Sequence, residues 1–182
     1  MTKVVIVGDG PGGLSAALFL AKNGMDVTVL GKDKTAMHYA YLQNYLGIPV
    51  ISGTDFQRIA RGQAEGFGAQ ILDEEVTSVT VADSITASTG STDHQGDYLV
   101  LTEGKNPVLA QSLGLVSDDG GAVQVDSSYR SSIDRVYVVG RSVRPTRSQA
   151  IISAGAGAVA ALDILARVSG QDVQDWDTPP KD

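Results

Sequence analysis

The sequence predicts a three-layer α/β fold with a central parallel sheet and a small antiparallel β-meander. An apolar run at residues 3–7, a helical pattern at 11–23 and a second apolar run at 27–30 form one strand–helix–strand unit. Such a unit is normally right-handed and places its two strands in parallel. Further along, the segment AQILDEEVTSVTVADSITAS alternates like antiparallel strands separated by turns. The sequence therefore predicts a parallel sheet joined to an antiparallel β-meander.

The first strand is a continuous apolar run that Gly8 ends, as is typical of a central parallel strand covered on both faces. Pro11 suits the first turn of the helix that follows, and Gly24 suits its end. Apolar residues recur between them at the spacing of one helix face, at Leu14, Ala17, Leu18 and Ala21.

The later elements follow from the same signals. A second helix is predicted from about Thr54, a plausible N-cap, to Gly66. Residues 88–97 are polar and indicate a hairpin tip. The remaining predicted elements are strands at 98–101, 123–125 and 136–139 and a last helix at about 149–168. We expect one domain at 1–168 and a polar carboxy-terminal tail at 169–182.

Composition narrows the class of protein. A length of 182 residues and an apolar fraction of 42% indicate one folded domain. The chain has no cysteine, which excludes disulfides, thiolate metal ligands and a CxxC redox pair within it. A net charge of −7 argues against nucleic-acid binding.

No leader pattern precedes the first strand. The most apolar window, residues 149–168, contains Asp163 and many small residues, which favours a buried helix over a membrane span. We therefore expect a cytoplasmic protein without a membrane span.

The turn after the first strand carries Gly8, Gly10 and Gly13 at GxGxxG spacing, the fingerprint of a Rossmann-like FAD- or NAD(P)-binding domain. Gly8 permits the sharp turn, Gly10 allows a pyrophosphate to approach the backbone, and Gly13 allows close helix packing. The helix amino terminus, with Pro11 and Gly12, presents free N–H groups to phosphate. The alternative is a tight turn without a ligand.

The acidic residue that a dinucleotide site usually has after the second strand is missing. Gly31 stands there, followed by Lys32 and Asp33. Lys32 is a candidate contact for ribose or phosphate, and Asp33 is a candidate contact for ribose. The alternative is that both are ordinary surface charges.

These residues, together with the segments NYLGIPVISG and SQAIISAGAGAVAA, resemble the FAD domain of low-molecular-weight thioredoxin reductases, in the pyridine nucleotide-disulfide oxidoreductase superfamily. The resemblance covers nearly the whole chain except its tail. It implies FAD as the cofactor, with Gln149 and Ala150 beside the flavin ring at the start of the last helix. It also implies contacts from Asn44, Val76, Thr102 and Gly104.

Within that helix, the small residues at 155–158 are expected to let it lie close against the central sheet. The alternative is a tightly packed helix that serves no ligand.

The sequence departs from the family at two places. The family inserts an NADPH domain after the strand that ends near Gly104, and this chain continues without one at about 104–110. The family's Gly-Asp pair is Gly140-Arg141 here, so Arg141 is a candidate partner for pyrophosphate. Arg144 and Arg147 are candidates for FAD phosphate or an anionic partner, or are solvated charges.

Neither histidine indicates a metal site, because no paired carboxylate spacing accompanies them. His94 lies in the predicted hairpin tip and is expected to be exposed. His38 lies in the loop that passes near the flavin in the family, where proton transfer or stacking is one role open to it.

Three functions remain open. The first is a flavoprotein oxidoreductase that exchanges electrons with a separate partner protein or a small-molecule donor and acceptor. The second is a non-catalytic sensor or subunit that binds FAD or another dinucleotide. The third is an NAD-binding protein that has lost flavin affinity. A homodimer or a complex with a partner is expected, because the FAD domain forms much of the dimer contact in the resembling family and a missing domain exposes apolar surface.

Overall fold

A computed structural model describes residues 1–179, so the last three residues of the predicted tail lie outside it. The chain forms ten strands, four α-helices and two 3₁₀ turns within that range. In order they are β1 (Lys3–Val7), α1 (Pro11–Lys22), β2 (Asp26–Leu30), a 3₁₀ turn (Ala36–Tyr39), β3 (Tyr41–Leu42), β4 (Ile51–Ser52), α2 (Gly53–Gly66), β5 (Gln70–Leu72), β6 (Ser78–Val81), β7 (Ile85–Ser88), β8 (Asp93–Gly96), β9 (Tyr98–Leu101), α3 (Val108–Ser112), β10 (Val136–Val138), a second 3₁₀ turn (Gly140–Val143) and α4 (Ala150–Ser169).

The predicted three-layer α/β fold is confirmed. The central sheet is parallel, with strand order β10-β9-β1-β2-β5. Alternate residues of β1 feed two cores: Val4 and Ile6 pack with α1 and α4, and Val5 and Val7 pack with the β6-β7-β8 meander and α3. The chain leaves β1 towards β2 and later returns to its other side at β9. Ligands of open α/β sheets bind at the carboxyl ends of the strands beside such a reversal.

Four sequence predictions about individual elements are corrected. Gln70–Leu72 pairs in parallel with β2 in the central sheet, so only the later part of that segment is antiparallel. Residues 123–125 form no strand, since Val123 makes only an isolated bridge to Ser117. The cap of α2 is Ser52 rather than Thr54, and its side chain accepts the N–H of Asp55 at 3.1 Å. Much of the predicted hairpin tip is β8.

The small residues of α4 serve a helix crossing. A Cβ atom on Gly157 would overlap the carbonyl oxygen of Gly12, so α4 approaches the first turn of α1 at backbone distance. Ala156 is buried in the core below. Gly155 is exposed, and a Cβ atom there would meet nothing. The expectation that all of residues 155–158 face the sheet is therefore wrong for Gly155, and the close partner of Gly157 is α1.

By length and apolar composition, α4 passes as a candidate membrane span, with a mean hydropathy of 1.7. One face of this helix packs in the core of the domain. Ala160, Ala161 and Ile164 are fully buried against the sheet and α1. Its one acidic residue, Asp163, accepts hydrogen bonds from Arg130 and from the hydroxyl of Tyr137 at 2.6 Å.

The described part of the tail is tied to α1. Lys22 Nζ lies 2.9 Å from Asp175 and 2.5 Å from Asp177. Val173 packs against the core that contains α1 and α4. These contacts hold the chain after α4 against the helical layer.

Candidate functional site

A single cleft of about 760 Å³ lies at the carboxyl ends of the central strands, where the direction of strand addition reverses. That volume is within the range of small-molecule and cofactor sites. We distinguish two parts of it. The helix end consists of the glycine turn and first residues of α1 (Gly8 and Gly10–Gly12), the start of α4 (Gln149–Ala150) and Gly140–Arg141. The loop end consists of Asp9, Glu74–Val76 and, from the chain after β2, Gly31, Lys32, Lys34 and Thr35.

The tight backbone of the turn before α1 requires glycine at two positions. Gly8 has a φ of +100°, and a Cβ atom there would lie 2.5 Å from the carbonyl oxygen of Thr102. A Cβ atom on Gly13 would overlap the carbonyl oxygen of Gly8. Gly10 is different, because its extended backbone suits any residue and the nearest atom to a Cβ there is 3.6 Å away. Gly10 therefore leaves open space that a ligand can occupy.

Two helix amino termini meet at this end of the cleft. Neither α1 nor α4 has a side-chain cap, so the amide N–H groups of their first turns are free to bind a ligand. The Gly12–Gly157 crossing holds the two termini together. The ends of both helix dipoles there are positive, an arrangement that favours bound anions such as phosphate.

Most predicted site residues lie in this one cleft. Thirteen of them line it: Gly8, Gly10, Pro11, Gly12, Gly31, Lys32, Val76, Thr102, Gly104, Gly140, Arg141, Gln149 and Ala150. Gly13 does not line it and acts in packing. Asn44 lies outside it, in a small hollow of its own loop, and donates from Nδ2 to Gln149 Oε1 at 3.0 Å. Asn44 is thus placed to hold Gln149 rather than to line the cleft.

The three arginines of the loop before α4 lie in different surroundings. Arg141 lines the cleft, and within residues 1–179 the one hydrogen bond of its side chain is a long donation to the carbonyl oxygen of Pro145, at 3.5 Å. Arg144 is exposed and lines a different surface cavity, with Asp118 and Asp126. Arg147 is exposed and does not line the cleft. Of these three arginines, Arg141 is the one placed to meet an anion in the cleft.

Asp9, which sequence reasoning did not select, is the buried acid of the loop end. It is 4% exposed, and it pairs with Arg61 on α2. Its Oδ2 also accepts the N–H of Asp33 at 3.0 Å, and its carbonyl oxygen accepts Gln57 Nε2 at 2.5 Å. A signal was present in the sequence: an acidic residue stands inside the glycine fingerprint of a chain that lacks one after β2.

The residues just after β2 have mixed placements. Lys32 is exposed at the cleft. Asp33 does not line the cleft; its carboxylate lies 3.1 Å from His38 Nε2. His38 also bonds Thr54 Oγ1 at 3.0 Å, outside the cleft lining. Asp33 and His38 therefore brace the loop against α2, outside the cleft lining.

Glu74 connects the loop end to the meander. His94 on β8 lies with Nε2 3.0 Å from Glu74 Oε2, and the His94 side chain is only 15% exposed. The expectation that His94 is an exposed hairpin-tip residue is therefore wrong. Its hydrogen bond to Glu74, aided by Thr89, holds the pKa of that carboxyl below its ordinary value of 4.5. Val76 lines the cleft just beyond.

Glu103 caps the short helix that follows β9. Its carboxylate accepts the N–H groups of Leu109 at 2.6 Å and Ala110 at 3.0 Å, so it caps the short helix α3 directly after β9. Burial raises the pKa of Glu103, and these hydrogen bonds only partly offset the effect. Ser142 completes the junction by donating to the carbonyl oxygen of Gly104 at 3.0 Å.

The fold and the position of the cleft are those of a Rossmann-like α/β domain. Among known proteins, residues 2–48 match the family model described as "Pyridine nucleotide-disulphide oxidoreductase". A thioredoxin reductase of Streptomyces clavuligerus is 32% identical over 123 residues, which cover 64% of this chain and 37% of that protein. A dihydrolipoyl dehydrogenase of Haloferax volcanii is 29% identical over 184 residues, which cover 94% of this chain and 36% of that protein.

The solved structure of a thioredoxin reductase from Gloeobacter violaceus superimposes with a TM-score of 0.85 at 18% identity, covering 98% of this chain and 99% of that one. The resemblance predicted from the sequence is thus confirmed: the chain resembles the FAD domain of thioredoxin reductases in the pyridine nucleotide-disulfide oxidoreductase superfamily. It spans little more than a third of the curated relatives described above, 37% and 36% of their lengths.

Proposed function

We propose that this chain is an FAD-binding oxidoreductase that exchanges electrons between a separate donor and a separate acceptor. The observation that carries the proposal is the meeting of two uncapped helix amino termini and Arg141 at one end of a cleft of about 760 Å³. The free N–H groups and dipole of α1 together with the guanidinium suit a pyrophosphate, and the dipole of α4 suits negative charge on a flavin ring. The open space beside Gly10 gives that group room to approach the backbone.

FAD, when bound, supplies the capacity to accept two electrons from one partner and pass them to another. The protein's part is to hold and orient it. The first turn of α1 and Arg141 hold the phosphates. The first turn of α4, with Gln149 steadied by Asn44, lies where it favours negative charge on the pyrimidine edge of the flavin ring.

Both electron partners are separate molecules under this proposal. The chain has no cysteine to carry electrons to a disulfide, and α3 follows the end of β9 where the family continues into an NADPH domain. The donor and acceptor are therefore a redox partner protein or a diffusible nicotinamide, dithiol or quinone. We further propose that the protein is cytoplasmic. We also propose that it forms a homodimer, since apolar side chains of β3 and the loop after it, such as Tyr41 (66%) and Leu46 (88%), are exposed. Light scattering that gives the mass of a single chain would refute the dimer.

The visible absorption spectrum of the purified protein, with and without added FAD, tests the cofactor. We expect oxidised flavin bands that remain after desalting and that bleach when NADH, NADPH or a reduced partner is added without oxygen. A matched variant, G10V, is expected to fold normally and to lose the flavin, because its side chain fills the space beside the glycine turn. Failure of the FAD-supplemented wild type to retain flavin would refute the proposal.

The second candidate, a non-catalytic FAD-binding subunit, is favoured by the absence of an acidic residue after β2. It predicts flavin bands that persist unchanged with every donor tested. The same spectrum therefore separates the two functions.

A further inference from the structure

At the loop end, positions 31 and 9 have exchanged residue types: glycine stands at 31, where an acidic residue is usual, and an acidic residue stands at 9. Gly31 directly follows β2, where dinucleotide-binding folds carry the acidic residue that binds the adenosine ribose. A Cβ atom on Gly31 would lie 2.5 Å from Cγ and 2.7 Å from Cβ and Oδ1 of Asp9. The Asp9 side chain thus occupies the space that a side chain at position 31 would fill. A carboxylate is present there, but it comes from the glycine turn.

The hydrogen bonds to the Asp9 carboxylate leave one of its two oxygens for a ligand. Within the described residues, Arg61 and the N–H of Asp33 both bond to Oδ2 of Asp9, and no partner bonds to Oδ1. Asp9 nevertheless lines the cleft, although it is 4% exposed. The pair with Arg61 and the hydrogen bond from Asp33 fix the orientation of the carboxylate, while its second oxygen has no partner among the described residues.

We propose that Asp9 replaces the missing acidic residue and accepts a hydrogen bond from the 2′-hydroxyl of the adenosine ribose of the bound dinucleotide. This inference rests on the proposed function, because it needs an adenine dinucleotide in the cleft. It assigns to Asp9 the selection of an unmodified ribose. A 2′-phosphate would meet a fixed carboxylate and be rejected by like charge.

The test compares FAD with its analogue that carries 2′-deoxyadenosine, by fluorescence titration of wild type and D9S. We expect wild type to bind FAD about tenfold to a hundredfold more tightly than the deoxy analogue, the range for a hydrogen bond to a charged acceptor. D9S should bind the two ligands equally. A purely structural role for Asp9 would weaken both ligands alike and preserve the ratio, and that result would overturn the proposal.

A second pair of variants tests the exchange itself. G31E alone should lower both FAD affinity and melting temperature, because its side chain collides with Asp9. D9S/G31E should recover affinity and restore the preference for FAD over the deoxy analogue, since the carboxylate then projects from position 31. No recovery in the double variant would contradict the exchange. Loss of flavin from the wild type would instead refute the proposed function, so the two failures are distinguishable.

Discussion

The two ends of the cleft are built from different material. The helix end is made of backbone: glycines, free N–H groups and the dipoles of α1 and α4. The loop end depends on the side chain of Asp9, which Arg61 and the backbone N–H of Asp33 hold in place, while His38 outside the cleft contacts Asp33. Glycine motifs fix the first kind of site locally. The second kind depends on residues brought together from distant parts of the chain.

The largest effect should come from the backbone crossing that holds the helix end together. G157A adds a Cβ atom that overlaps the carbonyl oxygen of Gly12, so α4 must move away from α1. We expect the free energy of unfolding to fall by about 3 kcal/mol, in the upper range for overpacked cores. Urea denaturation followed by circular dichroism at 222 nm measures it.

G155A is the matched control, two residues away on the exposed face of the same helix. It should raise stability by about 0.5–1 kcal/mol, because alanine is the better helix former and meets no neighbour there. Equal stability of G157A and wild type would show that the crossing is not tightly packed.

The difference between the two ends of the cleft explains which features could be predicted from the sequence. The parallel sheet, α1 and the lining by Gly8, Gly10 and Gln149 follow from local patterns or from the family resemblance, and the structure brings them together. Asp9 and the pairing of His94 with Glu74 could not be predicted, because each depends on a partner from another element.

Two strand predictions failed for the same reason. Short alternating runs do not reveal whether a strand joins the parallel sheet, as β5 does, or the meander. The run at 123–125 finds only one bridge, to Ser117, and its neighbours pair elsewhere.

Arg141 is the one side chain on which the helix end is expected to depend. R141Q should weaken FAD binding about tenfold to a hundredfold, because a charge-assisted contact with pyrophosphate is lost in a partly enclosed site. R141K should recover part of the loss, since lysine keeps the charge without the paired geometry. The measurement is a flavin fluorescence titration.

R144Q is the control for that titration, because Arg144 is exposed and lines a different cavity. It should bind FAD as wild type does. If R141Q also binds FAD normally, the helix end holds its ligand with backbone groups alone, and the contrast between the two ends becomes sharper.

The smallest effect concerns acid and the loop end. Because the hydrogen bond from His94 lowers the folded-state pKa of Glu74 below 4.5, its contribution to stability is complete above that pH. It is lost as the pH falls through the lower folded-state pKa. Wild type should therefore melt slightly above E74Q at pH 5.5, and the difference should vanish towards pH 3. E75Q, whose carboxylate forms no ion pair among residues 1–179, should track wild type throughout. A difference between wild type and E74Q that persists unchanged at pH 3 would show that the side chain acts there through packing and not through charge.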